Sequence, residues 1–175
     1  MSQQVNCRWL KDIFFINKDK KILGRYKLLT ANSVKDKAEK PFDRIFLSYE
    51  NRFKRRLRME TEKGHEFLLN LPKAIELPIG GALILENGKE IEIKALKEKL
   101  FKVTPHKSQD LPKISWHIGN RHLPCQIFED YLTIQENFVF AEMLKSLNCK
   151  IETINTTFSP MKGAYGQGRT LGHSH

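Results

Sequence analysis

Long apolar stretches, paired cysteines and a secretory leader are all missing from this sequence. The longest uninterrupted apolar runs are only a few residues, such as Ile13 to Ile16, whereas a membrane-spanning helix needs about 20. No basic stretch followed by an apolar core opens the chain. Cys7, Cys125 and Cys149 form no C-x-x-C pair, which argues against a disulfide framework or a thiolate zinc site. We therefore expect a cytoplasmic protein with no membrane partner.

Recognisable catalytic motifs are also missing. The sequence contains no G-x-x-x-x-G-K-[ST] phosphate loop and no serine nucleophile elbow. Its carboxylates form no recognisable acid and base pair; those considered are Asp43, Glu50, Asp110, Glu129 and Asp130. We therefore expect that the protein is not an enzyme and holds no catalytic residues.

Length and composition fit a folded protein of one domain or two small ones. The chain has 175 residues, of which 40% are hydrophobic and 29% are charged. Thirty Lys and Arg residues against twenty Asp and Glu give a net charge of +10. This excess favours an acidic protein surface, a nucleic acid or an anionic membrane as a partner, and it carries no information about fold.

The first half of the chain has the patterns of strands and turns. Residues Asp43 to Glu50 alternate, with Ile45, Leu47 and Tyr49 on the predicted inner face. Phe67 to Leu71 is an apolar strand that Pro72 ends, and Asn87-Gly88 predicts a two-residue hairpin turn. The only helix candidate in this half is a short one near Asn32 to Ala38.

A basic segment, Arg52 to Met59, also alternates. The pattern predicts a strand with Phe53, Leu57 and Met59 inward and four cations outward, namely Arg52, Lys54, Arg56 and Arg58. One interpretation is a solvated sheet face, and the other is a docking face for an acidic partner or for phosphates. Because outward aromatic residues for base stacking are lacking, the pattern does not favour nucleic acid.

The second half has the order strand, helix, two strands, helix, strand. Leu111, Ile114 and Ile118 have helical spacing, Asn137 is a predicted N-cap, and Lys150 to Phe158 is the last strand. This order is that of a ferredoxin-like βαββαβ domain. We therefore predict an α+β protein with an N-terminal all-β domain at 1–97, a ferredoxin-like domain at 98–160 and a flexible tail at 161–175.

The histidines offer the clearest metal chemistry. His65 and His106 are interpreted as plain surface residues, whereas His173 and His175 form a His-x-His pair on the tail. His117 and His122 would be separated by roughly 140° on one helix, so they would not chelate one ion. Both could be packed histidines. Alternatively, the apolar helix face is a dimer seam where two His122 side chains meet, or Gly119-Asn120 ends the helix before His122.

A thirteen-residue run, SWHIGNRHLPCQI at 115–127, resembles the W-H-x-G-N-R-H-x-P-x-Q-I signature of the urease accessory protein E family. Shorter segments that resemble the family in the same order are Arg56-Leu57-Arg58, residues 67–72, Phe158-x-Pro160 and residues 163–166. One departure is Gly80-Gly81 in place of the family's usual Gly-Asp.

The resemblance implies a nickel metallochaperone of urease maturation. It implies an N-terminal domain like chaperone peptide-binding domains, and a homodimer through the second domain with Ni²⁺ at the interface. His122 matches the family's interface ligand, His117 matches a structural position, and His173 and His175 match tail ligands. The implied partners are the urease apoprotein and its accessory proteins, including the accessory GTPase. Zn²⁺ or Cu²⁺ could bind the same site.

Two departures and two alternatives accompany that expectation. The short tail makes high-capacity nickel storage doubtful, and residues 131–138 hold no histidine for an extra site. The first alternative is a basic nucleic-acid-binding or ribosome-associated protein. The second is a metal-dependent hydrolase, which the missing carboxylate constellation disfavours.

Overall fold

A computed structural model describes residues 28–162, which form two β-sheets and two α-helices. The predictions for Cys7, His173, His175 and most of the tail lie outside the described residues. None of the described helices is long and apolar enough to cross a membrane.

The first sheet, sheet A, has six strands and belongs to the N-terminal part of the chain. The strands are β1 (Leu29–Lys35), β2 (Pro41–Leu47), β3 (Arg56–Glu60), β4 (Glu66–Asn70), β5 (Ala82–Leu85) and β6 (Glu90–Ala95). Their order is β2-β6-β5-β1-β4-β3, with β1–β4 and β2–β6 parallel and the other pairs antiparallel. The core of this part includes Ile45, Phe67, Leu69, Leu83 and Ile93.

Sequence alternation predicted β2 correctly, but the segment just before it in the chain was expected to be helical and is strand β1. Ile45, Leu47 and Tyr49 are all buried, as the period of two requires. The expected helix near Asn32 to Ala38 is wrong, because β1 occupies Leu29–Lys35 and pairs with both β4 and β5. Pairing with two distant strands outweighs the weak local helix propensity of this segment.

The hairpin at Asn87-Gly88 exists, but its loop has three residues. Leu85 N–H donates to Lys89 O at 3.0 Å, and Gly88 N–H donates to Leu85 O at 2.8 Å. Gly88 has φ 80°, which is the left-handed residue of a type I turn with a bulge. The predicted two-residue turn is therefore wrong by one residue, although its place between β5 and β6 is confirmed.

The predicted basic strand is wrong in its first half. Strand β3 begins only at Arg56, and Arg52 lies in a turn with 1% of its surface exposed. The inner face is also partly wrong, because Met59 is buried whereas Leu57 is exposed. Arg56 and Arg58 are exposed as predicted, so the outward cations are fewer than the alternation suggested.

The second sheet, sheet B, forms the predicted ferredoxin-like domain with two helices. Its elements are β7 (Lys97–Pro105), α1 (Leu111–Gly119), β8 (Cys125–Ile127), β9 (Leu132–Gln135), α2 (Phe138–Ser146) and β10 (Cys149–Thr157), with a 3-10 turn at Ser108–Asp110. The order is β10-β7-β9-β8 and every pair is antiparallel. The expected α+β arrangement is thus confirmed.

Both helices pack on one face of sheet B. Leu111, Ile114 and Ile118 are buried against Val103 and Ile134, so the helical spacing identified the core face correctly. Asn137 caps α2, since its side chain accepts hydrogen bonds from Val139 N–H and Phe140 N–H. The opposite face carries Leu100 and Ile154, which pack with Tyr49 and Phe158.

Candidate metal-binding loop

The signature run places His122 on a tight loop directly after α1. Asn120 N–H donates to Trp116 O at 2.8 Å, and His122 N–H donates to Gly119 O at 2.9 Å. The loop then leads through Leu123 and Pro124 into β8. The alternative in which the helix ends before His122 is therefore confirmed, and the helical wheel does not apply to His122.

His122 has an unusual backbone and an open side chain. Its φ of 54° is left-handed, which costs a non-glycine residue about 1 kcal/mol or more. The side chain is exposed, and its imidazole makes no hydrogen bond to another residue within 28–162. Left-handed residues other than glycine cluster at ligand-binding sites, although Asn148, directly after the C-cap of α2, has the same conformation.

His117 has a different environment, one turn back on α1. It is half-buried and its ring meets that of Trp116 edge to face, with centroids 5.0 Å apart. Arg121 Nη1 donates to His117 O at 2.9 Å, so a basic side chain covers the end of the helix. These contacts are consistent with the packing role that the resemblance implies for His117.

The buried face of α1 cannot be the dimer seam considered above, because Leu111, Ile114 and Ile118 pack into the core. Large exposed apolar side chains lie instead where α1 ends and α2 begins, with Trp116 63%, Phe138 80% and Val139 77% exposed. These two helix ends lie at the same end of the domain, because β9 runs antiparallel to β7.

Cys125, three residues after His122, has a thiol whose ionisation is disfavoured. It is half-buried, and burial raises the pKa of its thiol. The pKa of the Cys149 thiol is also raised, by burial and then by the charge of Asp110, and Cys149 lies in the core. Both thiols are therefore protonated at neutral pH, whereas a metal binds the thiolate.

One described chain does not assemble a complete metal site. Across residues 28–162, no group of three or more His, Cys, Asp or Glu side chains is placed to hold an ion. An ion held by His122 would therefore need further ligands from outside the described residues of one chain, either from another copy or from the remainder of the chain. The resemblance supplies candidates for both, a second His122 and the pair His173 and His175.

The chain returns to this loop after its last strand. We call Phe158–Lys162, the segment that follows β10, the strap. Ser159 N–H donates to Gln126 Oε1 at 3.1 Å, and Met161 N–H donates to Cys125 O at 2.8 Å. The strap thus ends beside β8, the strand that the His122 loop enters.

Two histidines outside this loop, His65 and His106, were interpreted from sequence as plain surface residues, and both are exposed. His65 was interpreted as a plain surface residue, but its Nδ1 lies 2.8 Å from Oδ2 of the buried Asp43. Burial opposes ionisation of Asp43, yet hydrogen bonds from Thr61, His65 and Arg44 N–H lower its pKa to about 2. His106 is exposed as expected, and its N–H donates to Asn148 O at 3.2 Å.

Comparison with known proteins gives consistent matches along the chain. Residues 20–96 match the model of the UreE urease accessory protein N-terminal domain, and residues 98–175 match that of the C-terminal domain. The urease accessory protein UreE of Chelativorans sp. (strain BNC1) is 42% identical over 148 residues, which cover 85% of this chain and 94% of that protein. The UreE of Rhodobacter capsulatus is 44% identical over 133 residues, covering 76% of this chain and 83% of the relative.

Proposed function

The chain belongs to the UreE family of urease accessory proteins, and from this membership we propose that it is a nickel metallochaperone. In this proposal it binds Ni²⁺ at a homodimer interface and donates the ion to the urease apoprotein during active-site assembly. The recipient complex includes the other urease accessory proteins, among them the accessory GTPase. The protein acts as a carrier and not as an enzyme.

The observation that carries the proposal is the exposed, left-handed His122 at the end of α1. A single imidazole is too few ligands to hold Ni²⁺ firmly, so a second copy is needed. Two chains related by a two-fold axis would bring two His122 side chains to one ion. The exposed Trp116 and Phe138 at the same end of the domain would supply apolar surface for that contact.

The ligand chemistry suits a carrier that must release its ion. Closed structural sites use four ligands and often thiolates, but here the nearby thiol of Cys125 is protonated at neutral pH because burial raises its pKa. Imidazoles from His122, His173 and His175 would give an all-nitrogen site. Zn²⁺ and Cu²⁺ also suit imidazole ligands and would compete for it.

The division into 1–97, 98–160 and 161–175 also remains a proposal. In this division the first part is a peptide-binding-like domain, the second holds His122, and the third is a tail with His173 and His175. The nucleic-acid alternative loses support, because Arg52 is buried and Arg58 pairs with Glu66.

Nickel titration combined with light scattering tests the proposal. We expect a dimer without metal that nickel stabilises by mass action, and we expect His122→Ala to lose the tightest site. His106→Ala is the matched control, because His106 is an equally exposed histidine away from the loop. A monomer with and without nickel, or salt-sensitive oligonucleotide binding without nickel binding, would refute the proposal.

A further inference from the structure

The strap crosses sheet B from one edge to the other. It leaves β10 at one edge and reaches Cys125 on β8 at the opposite edge. Phe158 packs with Leu100 and Ile154 on the face that the helices leave uncovered. Gln126 then accepts Ser159 N–H at 3.1 Å. Since residues 163–175 follow Lys162 directly in sequence, the strap sets the point from which that part of the chain starts.

The N-terminal part of the chain holds the start of the strap. The guanidinium of Arg52 donates from Nη2 to Phe158 O, and the Tyr49 ring meets the Phe158 ring edge to face at 5.2 Å. Arg52 is 1% exposed and Phe158 is fully buried. A buried arginine bound to a backbone carbonyl fixes that carbonyl, because breaking the bond would leave a buried N–H group without its acceptor.

Lys162, at the far end of the strap, is also connected to Arg52, through the carboxylate of Glu76. Glu76 lies 3.4 Å from Arg52 Nη1 and 3.8 Å from Lys162 Nζ. The carboxylate therefore links the buried arginine to the last described residue of the chain. The Lys162 pair is exposed and weak on its own, so the firm attachments are those of Phe158, Ser159 and Met161.

We propose that Arg52 and Gln126 are positioning residues that hold the strap so that the tail histidines start beside the His122 loop. This inference rests on the proposed function, since it concerns how His173 and His175 reach the nickel site. The sequence placed Arg52 among outward-facing cations, whereas in this proposal its buried side chain positions the strap.

The expected size of the effect follows from tether length. With the strap in place, ten residues separate Lys162 from His173, and without it fifteen separate Thr157 from His173. Effective concentration falls roughly as the −3/2 power of tether length, which by itself predicts about a twofold loss. Without the strap the chain toward His173 would also start from β10, three strand spacings of about 4.8 Å away from β8. This distance increases the loss, so we expect nickel affinity to fall about two- to fivefold.

Amide hydrogen exchange tests the strap without any metal. We expect slow exchange of Ser159 and Met161 N–H in the parent protein and faster exchange in Gln126→Leu. Gln126→Glu keeps an acceptor and should restore slow exchange at Ser159, whereas Gln109→Leu, an exposed glutamine elsewhere, should change nothing. Fast exchange at both amides in the parent would overturn the strap and leave the nickel proposal standing.

A double-mutant cycle tests the link to nickel. Gln126→Leu and Arg52→Met should weaken nickel binding about two- to fivefold in the parent, but not in a protein that also carries His173→Ala and His175→Ala. A purely structural role predicts that nickel affinity changes equally with and without His173 and His175, or does not change at all. Either result overturns the positioning role. Loss of nickel binding by the parent itself would instead refute the proposed function.

Discussion

Gly81→Ala should destabilise the protein more than any other glycine substitution within residues 28–162. A Cβ atom at position 81 would lie 2.5 Å from Lys35 O, 2.6 Å from Pro78 Cγ and 3.0 Å from Pro78 O. These neighbours cannot easily move apart. Gly81 N–H donates to Pro78 O at 3.0 Å, Gly81 O accepts Ile93 N–H at 2.9 Å, and the next residue pairs with Lys35 in the sheet.

The expected cost is that of forcing a methyl group into filled space, about 1–3 kcal/mol. For a chain of this length each kcal/mol lowers Tm by about 2–4 °C, so we expect a loss of roughly 2–12 °C. Gly81 takes the place of the family's usual aspartate. The sequence favours interpreting this as a tolerated turn change, and the contacts show in addition that a side chain at position 81 would force its neighbours to shift.

Two other glycines serve as controls in thermal and urea unfolding. Gly80 has φ 81° but open space around its Cβ position, so Gly80→Ala should cost about 1 kcal/mol from backbone strain alone. Gly119 has open space and ends α1, and Gly119→Ala should be neutral or slightly stabilising. If Gly81→Ala unfolds at the same temperature as Gly119→Ala, the close approach described here is wrong.

Three further predictions concern metal binding and pH. His122→Ala should abolish the tightest nickel site in calorimetry, whereas His117→Ala should mainly lower stability. Parent-like binding by His122→Ala would contradict the ligand role that the resemblance implies for His122. Nickel affinity should be nearly flat above about pH 7.5 and fall below about pH 6, by up to tenfold per pH unit per imidazole. Because burial raises the pKa of Cys125, affinity that still climbs between pH 8 and 9 would indicate a thiolate ligand. The pKa of Asp43 is lowered from 3.8 to about 2, so its stabilising effect is present above pH 3.8 and disappears as pH falls toward 2. Asp43→Asn should unfold at a lower urea concentration than the parent near pH 7, and its free energy of unfolding should fall less between pH 4 and 2. If the pH dependence of unfolding between pH 4 and 2 is the same in both proteins, ionised Asp43 does not stabilise the fold.

Features that depend on neighbours in sequence were predicted well. The alternation of β2 and the spacing of Leu111, Ile114 and Ile118 follow from one buried face on each element. The cap at Asn137 needs only the two amides that follow it within three residues. The end of α1 before His122 likewise follows from the local pair Gly119-Asn120.

Features that depend on distant partners were missed. Arg52 was predicted to face solvent, but its position is set by Phe158, which is 106 residues away in sequence. His65 is exposed as expected, but its contact with Asp43, 22 residues earlier on β2, was not predicted. Alternation within a short segment contains no information about which cation a later part of the chain will bury.

The distance between Arg52 and Phe158 also has a consequence for folding during synthesis. Ribosomes add about 5–20 residues per second, so the 106 residues between the two take about 5–20 s to make. Sheet A can form early, but sheet B lacks its edge strand β10 until Thr157 has been made. During that interval Arg52 lacks the carbonyl of Phe158, although Tyr49 N–H can already donate to Glu98 Oε1 on β7. The contacts of Phe158 with Arg52 and Tyr49 can form only afterwards, so chains that stop before Phe158 should be more exposed to proteolysis.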